Sequence, residues 1–381
     1  MRIDPDFWAH RRVLVTGHTG FKGAWLSLWL QAMGAHVSGI APRSPTSPSL
    51  FEQARVGAEM TELALDVRDA EGVRLALARQ RPEIVLHMAA QPMVRRSYLE
   101  PVLTYEVNVM GTVNVLEAVR HCGDVRAVVV VTSDKCYDNG GDGDQGGSFT
   151  ESDAMGGSDP YSSSKGCAEL VTAAYRASYF SGVDATRLAS ARAGNVIGGG
   201  DWGQDRLIPD MIRAAESGQP IRVRNPDAVR PWQHVLNPLS GYLRLAQALW
   251  DSHDASEGWN FGPDPDDAKP VRWVVGELAR RWPTPLRWQL DDSNNPPEAS
   301  YLMLDSSKAH TRLGWRPAWD LAKALERIVE WHQAYLQGRD MRAFTLAQID
   351  QFQRCAFPQE RAVSSPGERG PAKSLRGRRL E

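Results

Sequence analysis

The chain has 381 residues, 42% of them hydrophobic and 24% charged, and a formal net charge of −2. That length suits two domains, and the balanced charge excludes a general electrostatic attraction to nucleic acid or to an anionic membrane surface. The four cysteines contain no CxxC pair. We therefore expect neither a metal site nor a disulfide framework, and we predict a reduced, cytoplasmic protein.

The two ends of the chain carry no targeting or anchoring pattern. Residues 1–12 lack an apolar run, so we expect no signal peptide. No stretch of about 18 apolar residues occurs, so we expect no membrane span. Residues 358–381 are rich in Arg, Ser, Pro and Gly, which predicts a disordered basic tail without a function of its own.

The first third of the chain alternates strand and helix patterns. Apolar runs end at Gly17, near Ile40 and at Asp66, and "PEIVLHMAA" and Val128–Val131 follow them. Helical periodicities separate these runs, including one from about residue 97 to residue 121. Strands that alternate with helices of ten or more residues predict an α/β fold with a Rossmann-type, doubly wound parallel sheet. Burial of such a sheet on both faces explains the unbroken valines.

The composition of the chain changes after about residue 199, where tryptophan and proline become common. We predict a dinucleotide-binding domain over residues 1–194 and a smaller, mainly substrate-binding domain over residues 195–357. Elements near 235–262 are expected to return to the main sheet. Trp25, Trp29 and Trp331 lie on apolar helix faces, so we expect them in the core rather than around a ligand.

The sequence TGHTGFKG places Gly17, Gly20 and Gly23 between a predicted strand and a predicted helix. Glycines allow a tight turn and a close approach of the backbone to a pyrophosphate, and the helix start offers free N–H groups. The spacing is GxxGxxG rather than GxGxxG, and a plain turn is the alternative. The context of strand, turn and helix favours a phosphate-binding loop.

Two features of this loop region are unusual for a dinucleotide site. His18 and Lys22 are large or charged where small residues would suit a close loop, and Lys22 either contacts phosphate or faces solvent. The second strand ends without the acidic residue that holds a ribose 2′-hydroxyl, and Arg43 follows it. By itself Arg43 would favour a 2′-phosphate and therefore NADP.

Tyr161 and Lys165 in the sequence YSSSK are four residues apart on a predicted helix and therefore share a face. A lysine ammonium stabilises a phenolate and is expected to lower the tyrosine pKa. Such a tyrosine can remove a proton from a sugar hydroxyl while a hydride leaves the same carbon. An incidental surface pair is the alternative.

Together these motifs resemble the extended short-chain dehydrogenase/reductase family, a nucleotide-sugar epimerase and dehydratase family. The resemblance covers residues 11–335 and rests on TGxxGFxG, HMAAQP, Asn108, the hydroxyl of Ser133 and YxxxK. Longer phrases, including VVTSDKCYDN, RAGNVIGGGDW and RPWQHVLNPLSGYL, are most similar to its CDP-glucose 4,6-dehydratase branch. The resemblance implies a bound NAD that is reduced and reoxidised within one turnover, and this overrides the NADP hint.

The expected cofactor site combines the glycine loop, the ends of later strands and the YxxxK helix. Asp66 and Val67 are expected near the adenine, and the strand-end sequence MAAQ is expected to border the cofactor. The full set of expected NAD-binding residues is Gly17, His18, Thr19, Gly20, Phe21, Lys22, Gly23, Asp66, Val67, Ala89, Ala90, Gln91, Asn108, Thr132, Tyr161 and Lys165.

The run Ser133–Asp134–Lys135 after the valine strand matches what 4,6-dehydration requires. The resemblance implies that Tyr161 and Ser133 engage the C4 hydroxyl, that Asp134 protonates the departing C6 hydroxyl, and that Lys135 removes the C5 proton. With Lys165 these are the expected catalytic residues. The dTDP-glucose branch has glutamate at the base position and usually threonine at the hydroxyl position. A salt-bridged Asp–Lys pair at a strand end is the alternative.

The expected substrate is CDP-glucose, whose diphosphate requires cationic and amide groups. Candidates from loops similar to the family's substrate-binding segments are Arg192, Asn195, Arg206, Arg230, Gln233, His234, Asn260 and Tyr301. The resemblance also implies a homodimer or a dimer of dimers and a role in lipopolysaccharide O-antigen biosynthesis. Another nucleotide-sugar epimerase, dehydratase or reductase remains the main alternative, and a cofactor-binding regulator without turnover is a second.

Overall fold

The computed structural model describes residues 3–139, 147–291 and 302–357, so Tyr301 and the predicted tail lie outside the described residues. The strands are β1 (Arg12–Thr16), β2 (His36–Ala41), β3 (Thr61–Ala64), β4 (Ile84–His87), β5 (Ala127–Val131), β6 (Arg187–Arg192), β7 (Val196–Ile197), β8 (Ile221–Val223), β9 (Val229–Pro231), β10 (Gln233–His234), β11 (Gly258–Asn260), β12 (Ala268–Pro270) and β13 (Trp288–Leu290). The α-helices are α1 (Pro5–Trp8), α2 (Phe21–Ala32), α3 (Leu50–Gln53), α4 (Ala70–Gln80), α5 (Val94–Leu99), α6 (Pro101–Tyr105), α7 (Gly111–Arg120), α8 (Pro160–Tyr179), α9 (Leu207–Ser217), α10 (Leu236–Asp251), α11 (Val271–Arg281), α12 (Ser307–Arg312), α13 (Leu321–Leu336) and α14 (Met341–Ala356).

Seven strands of the described chain form one parallel sheet in the order β11-β6-β5-β4-β1-β2-β3. The chain begins in the middle of this sheet at β1, winds outwards to β3, and then returns through β4 to the other edge. The strand order reverses between β1 and β4, so the carboxyl ends of these two strands open a crevice. The predicted α/β fold with a doubly wound parallel sheet is confirmed.

Helices cover both faces of the sheet and produce two apolar layers. Val13 and Val15 face a layer formed with α2 and α10, whereas Leu14 faces a layer formed with α4 and α7. Because successive strand residues point to opposite faces, both kinds of position must be apolar. Trp25, Trp29 and Trp331 are fully buried, as predicted from the periodicity of their helices.

A third apolar cluster lies in the C-terminal half of the chain. It joins α9, β8, α11 and the first half of α13, with Met211 and Leu325 among its fully buried members. In contrast, α10 packs on the main sheet and β11 pairs with β6, so this part of the chain returns to the sheet. The exact division into two domains stays a prediction.

The long helix predicted from about residue 97 to residue 121 is interrupted in the structure. It divides into α5, α6, a π-helical turn at Glu106–Met110 and α7. Pro101 has no N–H to donate and restricts the residue before it, so Glu100 leaves the helical region with φ −130° and ψ 61°. Asn108 lies in this π turn and is buried.

Candidate active site

The glycine loop connects β1 to α2 and has the geometry of a phosphate-binding turn. Gly17 has φ +75°, and a Cβ there would lie 2.9 Å from the backbone of Ala89. A Cβ on Gly23 would lie 2.1 Å from the Gly17 carbonyl oxygen. Helix α2 begins without a side-chain cap, so its first N–H groups remain available to an anion. These features fit a dinucleotide pyrophosphate.

His18 is buried in the loop rather than exposed to solvent. Its ring packs edge-on against Phe51 and covers Gly39 of β2, where a Cβ would lie 2.4 Å from the imidazole. Burial lowers the pKa of His18 to about 4, so the ring is neutral at physiological pH. His18 therefore forms part of the wall between the loop and the second strand.

Thr19 donates a hydrogen bond to the Pro42 carbonyl oxygen at 3.3 Å.

Lys22 points inward from the first turn of α2, next to Phe21. Its Nζ lies 3.2 Å from the Tyr242 hydroxyl of α10. Burial lowers the pKa of Lys22 to about 7, and the nearby charges of Lys165 and Arg206 lower it further. The alternative in which Lys22 simply faces solvent is therefore wrong.

We expect a Lys22→Met variant to be more stable than the wild type without ligands. The folded pKa of about 7 lies below the ordinary value of 10.5, so the unfolded chain binds more protons between these values. The gain should be largest below pH 7 and should disappear towards pH 10. We expect a rise in Tm of roughly 2–4 °C at pH 6. Thermal unfolding at pH 6 and pH 10 tests this, and an equal change at both would contradict it.

The residues after β4 are joined to the YxxxK helix by Asn108. Its amide oxygen accepts from the Gln91 N–H at 2.8 Å, and its amide group donates to the Gln91 carbonyl oxygen at 3.1 Å and to Ser164 Oγ at 2.8 Å. Asn108 thereby fixes residues 88–91, including Ala89 and Ala90, against α8. It is a predicted site residue with a clear positioning geometry.

Asp66 and Val67 lie just beyond the end of β3, at the edge of the crevice. Asp66 forms an ion pair with Arg68 at 2.9 Å, and hydrogen bonding to Arg68 lowers the pKa of Asp66. Val67 is buried beneath Gly111, where a Cβ would lie 2.7 Å from its side chain. β3 ends at Ala64 rather than at Asp66, so both residues belong to a turn.

The polar run after β5 forms a short 3₁₀ helix at Asp134–Cys136. Ser133 caps it by accepting a hydrogen bond from the Lys135 N–H at 3.2 Å, and its hydroxyl donates to Asp134 Oδ1 at 2.9 Å. Asp134 is buried, and this burial raises its pKa above the ordinary value. A carboxyl group that keeps its proton more readily is suited to act as an acid. A Cβ on Gly194 would overlap its carboxylate, so only glycine fits there.

Tyr161 and Lys165 lie on the face of α8 that packs against the end of β5. Burial raises the pKa of Tyr161 to about 12, while a hydrogen bond with Ser133 lowers it. Burial also lowers the pKa of Lys165 to about 8. The expectation that the tyrosine pKa is depressed is therefore wrong for this structure, because the loss of hydration outweighs the hydrogen bond with Ser133 and the charge of Arg206. Lys165 Nζ lies 3.5 Å from the Val131 carbonyl oxygen.

Two arginines from the C-terminal half reach the same site. Arg206, at the start of α9, lowers the pKa of Tyr161 through its charge. Arg230, in β9, is buried and lowers the pKa of Asp134 in the same way. Asn195 has a left-handed conformation with φ +32° and follows Gly194, which lies against the Asp134 carboxylate. The structure thus brings the two predicted arginines to the catalytic strand end.

Four other predicted substrate residues are engaged inside the protein instead. Arg192 forms a buried ion pair with Glu169 at 2.8 Å. Gln233 donates to the Phe261 carbonyl oxygen at 2.8 Å, and Asn260 donates to two backbone carbonyl oxygens. His234 is fully buried between the rings of two tryptophans, and burial lowers its pKa to about 3. Their assignment to the substrate stays a prediction, since sequence does not show which face of a strand carries each side chain.

Sequence analysis missed Glu169 and Asp201. Glu169 accepts hydrogen bonds from Thr132 at 2.5 Å and from Ser190 at 2.6 Å, besides the ion pair with Arg192. Asp201 is buried and forms an ion pair with Arg206 at 3.0 Å. The available signal for Glu169 was its position four residues after Lys165, on the same helix face. Asp201 lies in the phrase RAGNVIGGGDW, but nothing in that phrase indicates its pairing with Arg206.

The chemistry available at this site follows from the arrangement. The phenol of Tyr161 contacts the hydroxyl of Ser133, and Lys165 lies one helical turn after Tyr161. Asp134, whose pKa is raised, and Lys135 follow Ser133 directly. Tyr161 and Ser133 can remove a proton from an alcohol, and Asp134 and Lys135 can move protons at the neighbouring carbons. The described residues contain no cluster of three or more His, Cys, Asp or Glu side chains suited to a metal ion, and none of their helices is long and apolar enough to cross a membrane.

Known proteins resemble this chain over most of its length. Residues 13–261 match the model of the NAD dependent epimerase/dehydratase family. The chain is 54% identical over 344 residues to a CDP-glucose 4,6-dehydratase of Salmonella typhimurium, spanning 89% of this chain and 95% of that relative. A dTDP-glucose 4,6-dehydratase of Xanthomonas campestris is 26% identical over 345 residues, spanning 85% and 95%.

Solved structures share the fold. A UDP-glucose 4-epimerase from Stenotrophomonas maltophila, crystallised with NAD and a formylated UDP-arabinopyranose, superimposes with a TM-score of 0.74. The two chains are 22% identical, and the match covers 86% of this chain and all of the other. That level of identity supports a common fold and nothing finer.

Proposed function

Since the chain belongs to the NAD dependent epimerase/dehydratase family, we propose that it is a CDP-glucose 4,6-dehydratase. It converts CDP-D-glucose to CDP-4-dehydro-6-deoxy-D-glucose and water, and it is a hydro-lyase. The observation that carries this function is the 54% identity to the Salmonella enzyme over nearly the full length of both chains. Ser133, Asp134, Lys135 and Tyr161 cluster at one strand end, and they supply the acid and base groups that dehydration requires.

NAD fits the residues that are present. The turn at Gly17 and Gly23 leaves no room for side chains, and the uncapped start of α2 directs N–H groups to the same space. We propose that these groups hold the pyrophosphate and that residues 88–91, fixed by Asn108, border the nicotinamide half. When bound, NAD supplies a hydride acceptor for C4 of the sugar and a hydride donor for C6.

We propose the side-chain roles that the family resemblance implies, and the clustering of these residues at the end of β5 supports them. Tyr161, assisted by Ser133, takes the proton of the C4 hydroxyl, and Lys165 beside it stabilises the phenolate. The resulting 4-ketone makes the C5 proton acidic. Lys135 removes that proton, and Asp134, whose pKa is raised by burial, protonates the C6 hydroxyl so that it leaves as water. Arg206 and Arg230 supply positive charge for the diphosphate.

A panel of nucleoside diphosphate glucoses tests the function. The protein is incubated with NAD and with CDP-, dTDP-, UDP- or GDP-glucose, and products are identified by mass and by the 4-keto group. We expect a 4-keto-6-deoxy product from CDP-glucose and at least tenfold less from the others. A C4 epimer as product, without loss of water, would instead identify an epimerase, the alternative that shares this fold.

We further propose that two copies pair through the helices that carry Asn108 and Tyr161, giving a homodimer or a dimer of dimers. In support, large apolar side chains are exposed there, including Leu99 and Val102 on α5 and α6 and Leu170 on α8. Exposed large apolar side chains on neighbouring helices favour an interaction surface. Light scattering should give two or four times the mass of the chain, and the mass of a single chain would contradict the proposal.

The cellular setting is also a proposal. We place the enzyme in the cytoplasm, because its four cysteines are free thiols. We also propose that its product serves lipopolysaccharide O-antigen biosynthesis, as the resemblance of the sequence implies. Fractionation of the source cells and the loss of O-antigen in a strain lacking the protein are the respective tests.

A further inference from the structure

A buried carboxylate joins the catalytic strand to the helix that carries Tyr161. Glu169 lies on α8, one turn after Lys165 and two turns after Tyr161, so the three side chains share one face. Its Oε1 accepts from Thr132 Oγ1 at 2.5 Å, directly before Ser133. Its Oε2 accepts from Ser190 at 2.6 Å. One carboxylate therefore contacts the strand that ends in the catalytic run and the neighbouring strand β6.

Arg192 keeps this carboxylate charged and fixed in position. Its Nη2 donates to Glu169 Oε2 at 2.8 Å, and its Nη1 donates to the Tyr137 hydroxyl at 2.6 Å. Tyr137 in turn donates to Asn260 Oδ1 at 2.7 Å. Although burial opposes the charged form, the contacts with Arg192, Ser190 and Thr132 outweigh it and lower the pKa of Glu169. A buried pair with this many partners has one favoured geometry.

We propose that Glu169, held by Arg192, is a positioning residue that fixes α8 against the end of β5 and so sets the contact between Tyr161 and Ser133. This inference rests on the proposed dehydratase reaction. Glu169 touches neither Tyr161 nor Ser133 in any contact described above, and it acts through Thr132 and through the helix. A second consequence is electrostatic, because its negative charge lies one helical turn from Lys165.

The surroundings of Lys165 determine the sign of that effect. The titratable groups that interact with Lys165 through charge are Lys22 from α2, His87 from β4, Cys136 from the 3₁₀ helix and Glu169 from its own helix, on which Tyr161 lies one turn earlier. Burial lowers the pKa of Lys165 to about 8, and the charge of Glu169 raises it. Without that charge Lys165 loses its proton at a lower pH.

Two pairs of variants test the role. Thr132→Val removes the hydrogen bond between the carboxylate and the catalytic strand, whereas Ser190→Ala removes the one to β6. We expect kcat to fall about tenfold or more in Thr132→Val and clearly less in Ser190→Ala, although both should lower Tm by similar amounts. Glu169→Gln is expected to move the alkaline limb of the kcat–pH profile to lower pH. Glu71→Gln, which also breaks an Arg-paired glutamate but on the exposed helix α4, should match the wild type.

The outcomes test the positioning role of Glu169 and its electrostatic effect on Lys165 separately. A folded Thr132→Val variant with wild-type kcat, or losses that follow Tm equally in Thr132→Val and Ser190→Ala, would overturn the positioning role. An alkaline limb that stays in place in Glu169→Gln would overturn the second consequence, the effect of the Glu169 charge on the Lys165 pKa. A wild-type protein that forms no 4-keto-6-deoxy product from CDP-glucose would overturn the proposed function and this assignment with it.

Discussion

A Tyr161→Phe variant should lose at least about 10³-fold in kcat on CDP-glucose, within the range expected for loss of a general base. The phenol is the group that contacts Ser133, one helical turn before Lys165, and in the proposed reaction it takes the proton of the C4 hydroxyl. The fold should remain intact, because the ring of phenylalanine fills the same space as that of Tyr161 on α8. Steady-state kinetics with CDP-glucose, together with Tm, measure both effects.

The matched control is Tyr137→Phe, since Tyr137 is another buried tyrosine whose hydroxyl has hydrogen-bond partners. Loss of a hydroxyl from Tyr137 should lower stability by about 1–3 kcal/mol, because Arg192 and Asn260 lose a partner. We expect its kcat to fall far less than that of Tyr161→Phe. Comparable kcat values for Tyr161→Phe and the wild type would remove Tyr161 from the mechanism.

A Lys135→Ala variant should separate the two halves of the reaction. Oxidation at C4 depends on Tyr161, Ser133 and Lys165, which this change leaves in place, whereas removal of the C5 proton depends on Lys135. We expect the overall rate of product formation to fall by roughly 10²–10⁴-fold. In deuterium oxide, the C5 proton of bound sugar should exchange far more slowly than in the wild type.

The control for this variant is Lys135→Arg, which keeps a positive charge beside Asp134 but supplies a much weaker base. Both variants should lose C5 exchange if proton removal is the function of Lys135. If instead Lys135 forms only a structural pair with Asp134, the arginine should restore the activity that alanine loses. Unchanged dehydration in Lys135→Ala would exclude Lys135 as the base.

Sequence alone determined the features that depend on neighbouring residues. The glycine loop is a local turn, and Tyr161 and Lys165 share a helix face because four residues make about one turn. The run after the valine strand could be located because a buried parallel strand presents its polar residues where it ends. For these features, spacing along the chain fixes spacing in space, and the family resemblance then supplied the reaction.

Tertiary structure decided which polar side chains reach the pocket and which remain inside the fold. Arg206 and Arg230 extend to the catalytic strand end, whereas Arg192 turns to Glu169 and His234 packs between tryptophans. The direction in which the Tyr161 pKa shifts likewise depends on burial. The spacing of four residues between Tyr161 and Lys165 does not reveal that burial. Each of these outcomes depends on contacts between segments far apart in the chain, so no local pattern encodes them.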